Sequence, residues 1–255
     1  VKAYEWTTGK LLWHSKAFGK PGKYFRQTNK ELFFRTVDPV TLVALKKMNG
    51  SLCWQLEKMA ISLNWSIVGD KVILPLTAGG VKAIKISNGT LQNGPNIAGG
   101  LVTTAFTEFN NSLFVGTYVR AVIGGPWRGP KRFATYVEGE PRIIRADENR
   151  IFVLCKAPNQ FVALDSESGK IYWQHNLSDT MNHFFAQRKR VFIIETDNQK
   201  PSRLIVLNQE DGKVLVAETV APYQPGRPAL YESGVVISQT QQIIKAIELY
   251  APPTE

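Results

Sequence analysis

One short pattern recurs along the chain at nearly constant spacing. Apolar residues surround a small residue, a few polar residues follow, then a glycine, and then an apolar run that ends in tryptophan in the clearest copies. These copies are Val1-Lys2-Ala3-Tyr4 through Gly9 to Trp13, Leu42-Val43-Ala44-Leu45 through Gly50 to Trp54, and Phe161-Val162-Ala163-Leu164 through Gly169 to Trp173. Val81-Lys82-Ala83-Ile84 through Gly89 to Leu91 and Leu204-Ile205-Val206-Leu207 through Gly212 to Leu215 follow the same plan. Val119-Arg120-Ala121-Val122 and Ile244-Lys245-Ala246-Ile247 are degenerate copies. The small residue falls at 3, 44, 83, 121, 163, 206 and 246, at intervals of 41, 39, 38, 42, 43 and 40 residues. Such even spacing marks one supersecondary unit repeated along the chain.

Each part of the unit has a physical reading. The apolar run is a buried strand, and the polar residues ending in glycine are a hairpin turn. Asn88-Gly89 and Asp211-Gly212 supply the positive φ that closes such a turn. The run after the glycine is the returning strand. Two further strands precede each hairpin, as in Arg142-Ile143-Ile144 and Ile151-Phe152-Val153-Leu154, joined by a polar turn from Asp147 to Arg150. Four short strands per unit, without helical periodicity, predict an all-β chain: a β-propeller of four-stranded antiparallel blades. Seven repeat matches predict six to eight blades. The expected repeats lie near 1–13, 14–54, 55–93, 94–135, 136–176, 177–216 and 217–250, in one propeller domain or part of one. Trp13, Trp54 and Trp173, each four residues past a glycine, are expected to wedge between neighbouring blades. The chain opens at Val1 inside a repeat, which reads as a piece of something longer.

The stretch Ala163-Leu164-Asp165-Ser166-Glu167-Ser168-Gly169-Lys170-Ile171-Tyr172-Trp173 resembles the repeat of quinoprotein-type propellers. That family is named for alcohol dehydrogenases that bind pyrroloquinoline quinone. It also contains non-catalytic scaffolds, among them a bacterial outer-membrane assembly lipoprotein and luminal domains of the eukaryotic secretory pathway. The resemblance implies the fold over nearly the whole chain and leaves function open.

Several chemistries find no support in the residues. Catalytic members of that family hold the quinone between a tryptophan and a disulfide of neighbouring cysteines, beside a calcium ion. Here Cys53 and Cys155 are far apart, and two buried free thiols are expected rather than one bridge. His14, His175 and His183 have no metal-ligand spacing. No serine stands in a Gly-x-Ser-x-Gly elbow. Gly79-Gly80 and Gly99-Gly100 lack the Lys-Ser/Thr or helix that would cradle phosphate, and read as turns. No catalytic residue, cofactor or metal is assigned.

Three features exceed what the repeat needs. Ile123-Gly124-Gly125-Pro126-Trp127-Arg128-Gly129-Pro130-Lys131-Arg132 replaces an ordinary hairpin turn. Its Trp127, Arg128, Lys131 and Arg132 are the candidate partner contacts, because loops held by a rigid scaffold often carry function. The alternative is a drifted repeat in which Trp127 is a packing wedge. The second feature is charge. With 31 Lys and Arg against 21 Asp and Glu, the formal charge is +10. Lys16, Lys20, Lys23 and Arg26 share one connection, and Arg188-Lys189-Arg190 share one turn. A solvated surface explains this scatter, and an anionic ligand or surface is the sharper alternative. The third feature is a set of Asn-x-Ser/Thr sequons at Asn49, Asn64, Asn88, Asn110 and Asn176, candidate glycosylation acceptors partly explained by turn chemistry.

The function expected is a non-catalytic scaffold that mediates protein–protein interaction within a larger assembly. The alternatives are an enzyme or ligand-binding propeller with its site in the central channel, and a polyanion-binding module. A secreted, luminal or periplasmic location is favoured over the cytoplasm. No stretch reaches the ~18–20 uninterrupted apolar residues of a membrane span.

Overall fold

The computed structural model describes the chain apart from residues 17, 58, 63, 96–100, 128, 148, 179–180, 188, 196–201, 222–228, 231–234, 240–243 and 249–255. Among the described residues every regular element is a strand, and no helix is long and apolar enough to cross a membrane. The chain divides into two compact units, residues 1–119 with 123–132 and residues 120–122 with 133–255.

The first unit opens with a hairpin of β1 (Lys2–Tyr4) and β2 (Leu11–His14). Two four-stranded sheets follow. One contains β3 (Pro21–Gln27), β4 (Glu31–Thr36), β5 (Thr41–Lys46) and β6 (Leu52–Glu57). The next contains β7 (Ser66–Val68), β8 (Lys71–Pro75), β9 (Val81–Lys85) and β10 (Leu91–Asn93). A third four-stranded sheet has the order β11 (Thr107–Phe109), β12 (Ser112–Gly116), β13 (Ala121–Pro126) and β14 (Phe133–Tyr136). The division between units runs through β13. The second unit continues with β15 (Glu140–Asp147), β16 (Arg150–Lys156), β17 (Gln160–Asp165) and β18 (Ile171–Asn176). A further sheet holds β19 (Met181–Gln187), β20 (Arg190–Glu195), β21 (Ser202–Asn208) and β22 (Val214–Ala221). Then come β23 (Ala229–Leu230), β24 (Val235–Gln239) and β25 (Ile244–Glu248). In every sheet the strands pair in chain order, which is the blade expected from the repeat.

Alternation along each strand explains why the second and third strands of a blade are apolar without interruption. On β8, Val72, Ile73 and Leu74 are all fully buried. Val72 and Leu74 pack with Phe33, Leu42 and Trp54 of the preceding sheet. Ile73, one residue out of phase, packs with Leu113 and Val115 of the following one and with Phe106 just ahead of it. In the second unit Phe161 meets Phe184 of the next sheet edge-to-face, with ring centroids 4.7 Å apart. Each such side chain contributes about 2 kcal/mol of burial, so a blade is held by its neighbours on both faces.

The recurring tryptophans tie these sheets together. A Cβ on Gly50 would stand 2.4 Å from the Trp13 ring, one on Gly89 2.7 Å from Trp54, and one on Gly212 2.6 Å from Trp173. Each ring therefore lies on the bare turn glycine of the following sheet. Each indole also donates a hydrogen bond: Trp13 Nε1 to Lys47 O at 2.7 Å, Trp54 Nε1 to Ile86 O at 2.7 Å, and Trp173 Nε1 to Gln209 O at 3.0 Å. The accepting residues donate their own N–H to the first turn of their blade, Lys47 to Lys30 O, Ile86 to Asp70 O and Gln209 to Lys189 O. Phe133 takes the aromatic role against Gly169, where Thr135 Oγ1 donates to Gly169 O at 2.7 Å. The small residue of the repeat has its reason in the same place. Ala3, Ala44 and Ala163 pair across the strands with Trp13, Trp54 and Trp173, and a β-bulge follows each alanine.

Candidate functional site

The loop between β13 and β14 departs from this scheme. The strand runs further than the sequence implies: Gly124, Gly125 and Pro126 extend β13, so the turn proper is residues 127–132. Arg132 N–H donates to Gly124 O at 2.8 Å and closes the loop. A side chain on Gly125 would press on the Arg132 N and the Lys131 Cα at 3.0 Å, so the close return favours glycine.

Trp127 is half-buried and packs on the cluster built by Val68, Ile73, Ala83 and Ile123. The Lys71 ammonium stands 5.2 Å from its ring centroid, a cation–π contact, and pairs on its other side with Asp70. Side-chain hydrogen bonding to Lys71 lowers the Asp70 pKa. Lys131 and Arg132 are exposed; Arg128 lies outside the described residues. A cleft of about 20 Å³ lies beside the loop, and its lining includes Pro95, Phe106, Leu113, Ile123, Gly125 and Lys131. That space suits a water-sized group. Pro95 and Lys71 carry no signal of their own in the sequence, although the loss of tryptophan after Gly89 points to this boundary.

Among the described residues, none of the other clustered basic residues lines this cleft. Lys16 and Lys20 are exposed, with Lys16 Nζ 5.4 Å from the Phe18 ring centroid. Lys23 and Arg26 are on β3, and the Arg26 guanidinium lies 5.4 Å from the ring centroid of fully buried Trp65. Lys189 belongs to the second unit and pairs with Glu210 at 3.7 Å. Arg190 begins β20, while Arg188, like Gly99-Gly100, lies outside the described residues.

Of the sequon asparagines, Asn49, Asn88, Asn110 and Asn176 are exposed. Asn64 is half-buried, and its Nδ2 donates to Val102 O at 3.3 Å and Thr103 O at 2.8 Å. A glycan on that nitrogen would cost both bonds. His14 is exposed at the end of β2, and burial lowers the pKa of half-buried His175 against the opposing charge of Glu195. His183 lies on β19.

Both cysteines are free. Burial pushes the Cys155 thiol up to about 12, and burial, then the Glu31 charge, raise that of Cys53. Protonated thiols of this kind are poor nucleophiles and poor metal ligands. Among the described residues no group of three or more His, Cys, Asp and Glu is placed to hold a metal ion. The adjacent-cysteine cradle that the quinone resemblance implies is therefore not matched by these residues.

The profile of one family, described as outer membrane protein assembly factor BamB, matches residues 1–123 and 127–249. The chain belongs to this family of PQQ-like repeat β-propellers. Solved structures agree on the fold. BamB from Moraxella catarrhalis superposes with a TM-score of 0.70 at 12% identity, covering 94% of this chain and 75% of that one. The computationally designed Ika8 protein gives 0.71 at 12% identity, over 93% of this chain and 74% of its own. A europium-containing methanol dehydrogenase gives 0.66 at 11% identity, over 97% and 72%. No curated protein matches the chain in sequence. The fold is thus an all-β propeller of four-stranded antiparallel blades, and the blade count of about six falls within the expected range.

Proposed function

We propose that this propeller is a non-catalytic scaffold that holds protein partners within a larger extracytoplasmic assembly. The observation that carries the reading is the family match over nearly the whole chain, to proteins described as outer membrane assembly factors. The loop carrying Trp127, Arg128, Lys131 and Arg132 is the proposed contact surface: an apolar ring anchored in the scaffold beside exposed cations. The test is purification of the tagged protein from its native cells at physiological salt. The expected result is co-purification of a defined partner set at constant stoichiometry. Partner loss on Lys131→Glu with Arg132→Glu then assigns the loop. Elution as a lone monomer with no partner overturns the scaffold reading.

A site in the central channel is the second reading, favoured by the likeness to a methanol dehydrogenase. At 11% identity that likeness is one of fold. Calorimetric titration with pyrroloquinoline quinone separates the two, and saturable heat would favour the channel. The family description supports a periplasmic setting, and a eukaryotic lumen is the alternative. There the exposed Asn49, Asn88, Asn110 and Asn176 would carry glycans, and endoglycosidase treatment of native material would shift its mobility.

A further inference from the structure

The positive charge is not shared evenly between the two units. Residues 1–119 with 123–132 hold 17 Lys and Arg against 6 Asp and Glu, and the rest of the chain holds 14 against 15. In the first unit many of these cations stand on turns. The turn joining the first two strands of a blade and the turn joining the last two lie at one end of the sheet. There Lys47 N–H donates to Lys30 O at 2.8 Å, and Ile86 N–H to Asp70 O at 2.9 Å. The tryptophans bring these ends together from sheet to sheet, since Trp13 reaches Lys47 O and Trp54 reaches Ile86 O. One row of turns therefore carries exposed Lys10, Lys30, Lys46, Lys47 and Lys85. Among the described residues none of the five has an ion pair. The row's acids are Glu5 and Glu31, which accept from the Thr8 and Thr28 hydroxyls, and Asp70, which pairs with Lys71. With Lys71 and Asp70 cancelling, five lysines against two glutamates leave a net of +3.

Folding does not call for these lysines. In the second unit the residue two places past the small one closes the turn: Asp165 Oδ1 accepts from Glu167 N–H at 3.2 Å, and Asn208 Oδ1 from Glu210 N–H at 2.8 Å. Lys46 and Lys85 occupy that place in the first unit, and the work passes to Asn49 and Asn88, which accept from Ser51 and Thr90 N–H at 3.1 and 3.0 Å. Lys85 also stands directly opposite Lys71 on the neighbouring strand, a like-charge pair that costs stability. Met48, 85% exposed, takes the place held by Glu167 and Glu210. We infer that this row of turns is a docking face for an anionic lipid surface, with its lysines among the headgroups and Met48 inserted between them. Lysine is a hydrated point charge suited to a diffuse field of phosphates, and the row has none of the guanidinium forks that pair carboxylates bidentately. Cations around an exposed apolar tip match an interface of charged headgroups over acyl chains. The inference goes beyond the scaffold reading and adds a surface to it. Glycans on Asn49 or Asn88 would stand in the same plane, so it belongs with the periplasmic setting and not the luminal one.

The test is co-sedimentation of the full chain with vesicles at ~0.15 M salt, a Debye length of about 8 Å. Binding is expected to vesicles of phosphatidylcholine with phosphatidylglycerol and not to phosphatidylcholine alone. Each lysine at the surface brings about 5-fold in partition. Lys30→Gln, Lys47→Gln and Lys85→Gln together should therefore weaken binding about 100-fold with the thermal midpoint unchanged. Met48→Ser should weaken it by about 3-fold or more, and decides the matter if the triple variant does not fold. Lys170→Gln with Lys213→Gln, on the corresponding turns of the second unit, should leave it within about 2-fold. No sedimentation, equal binding to both vesicles, or undiminished binding of the folded triple variant overturns the inference. So does an equal loss in the second-unit variant, which would make the net charge and not this row the cause. Displacement from the vesicles by polyglutamate at matched charge overturns the lipid and leaves an acidic protein segment as the ligand. The scaffold reading stands or falls separately on co-purification.

Discussion

Gly9 and Gly50 occupy the same place in two copies of the hairpin turn, at φ +68° and +69°, and differ in what stands over them. Nothing lies within 4 Å of a Cβ built on Gly9, whereas one on Gly50 would meet the Trp13 ring at 2.4 Å. Gly9→Ala should therefore carry only the cost of the left-handed backbone, about 1 kcal/mol. Gly50→Ala adds overpacking against an indole and should cost about 3 kcal/mol in all. Urea unfolding midpoints of the two variants would test this, and equal losses would remove the tryptophan contact from the account. Asp165 offers a pH test. Hydrogen bonds from the Ser168 hydroxyl and N–H, with a further one from Tyr172, hold its pKa down to about 2. Because the folded value is depressed, the stability it brings is present above the unfolded value near 4 and is lost as pH falls toward 2. The carboxylate is only partly buried, so solvent screening keeps the contribution to about 1 kcal/mol or less. The stability difference between the parent and Asp165→Asn should shrink as pH falls from about 4 to 2.

The connections between blades bear load as well as the strands. Asn64, just before β7, donates both amide hydrogens to Val102 O and Thr103 O in the connection before β11. This ties two successive crossings that share no strand. Asn64→Ala leaves two carbonyls without that donor and should lower stability by about 1–2 kcal/mol in a chemical unfolding curve. Asn64→Asp should cost as much or more, since it places a charge beside two carbonyl oxygens. At the outer strands, the indole N–H is the part of the lock that phenylalanine lacks. Trp54→Phe keeps a ring over Gly89 and loses the 2.7 Å bond to Ile86 O. A loss of about 1–2 kcal/mol is expected, and the near-complete retention of stability would show that ring area alone makes the lock. The blade plan was legible at this scale: glycine spacing predicted the hairpins, and apolar runs predicted the buried middle strands. The bulge after Ala3, Ala44 and Ala163 was not, because an unpaired extra residue leaves the pattern of residue types unchanged.

At the scale of the whole molecule a net charge of +10 remains, although some cations among the described residues are answered locally. Lys71 pairs with Asp70, Arg142 with Glu140, Lys189 with Glu210 and Lys213 with Asp211. A chain charged in this way should bind a heparin matrix weakly, with a log–log salt slope shallower than about −3. A steeper slope would bring the polyanion reading forward.

The amino-acid order alone determined the unit, its strand count, its turns and the family, because these follow from local dihedral preference and two-residue alternation of burial. It also exposed the unusual loop from Gly124 to Arg132, as a break in that order. Only the tertiary structure decided what the repeated plan is for. Gly50 is bare because the Trp13 indole, 37 residues earlier, must lie on it and reach Lys47 O, and Ala3 is small because it faces that indole across the strands. It also decided that Trp127 turns onto the cluster of Val68, Ile73, Ala83 and Ile123 with the Lys71 ammonium over its ring. A repeat encodes each blade in its own residues, but the contacts between blades join side chains that no local pattern relates, and there the partner in space sets the role of the residue.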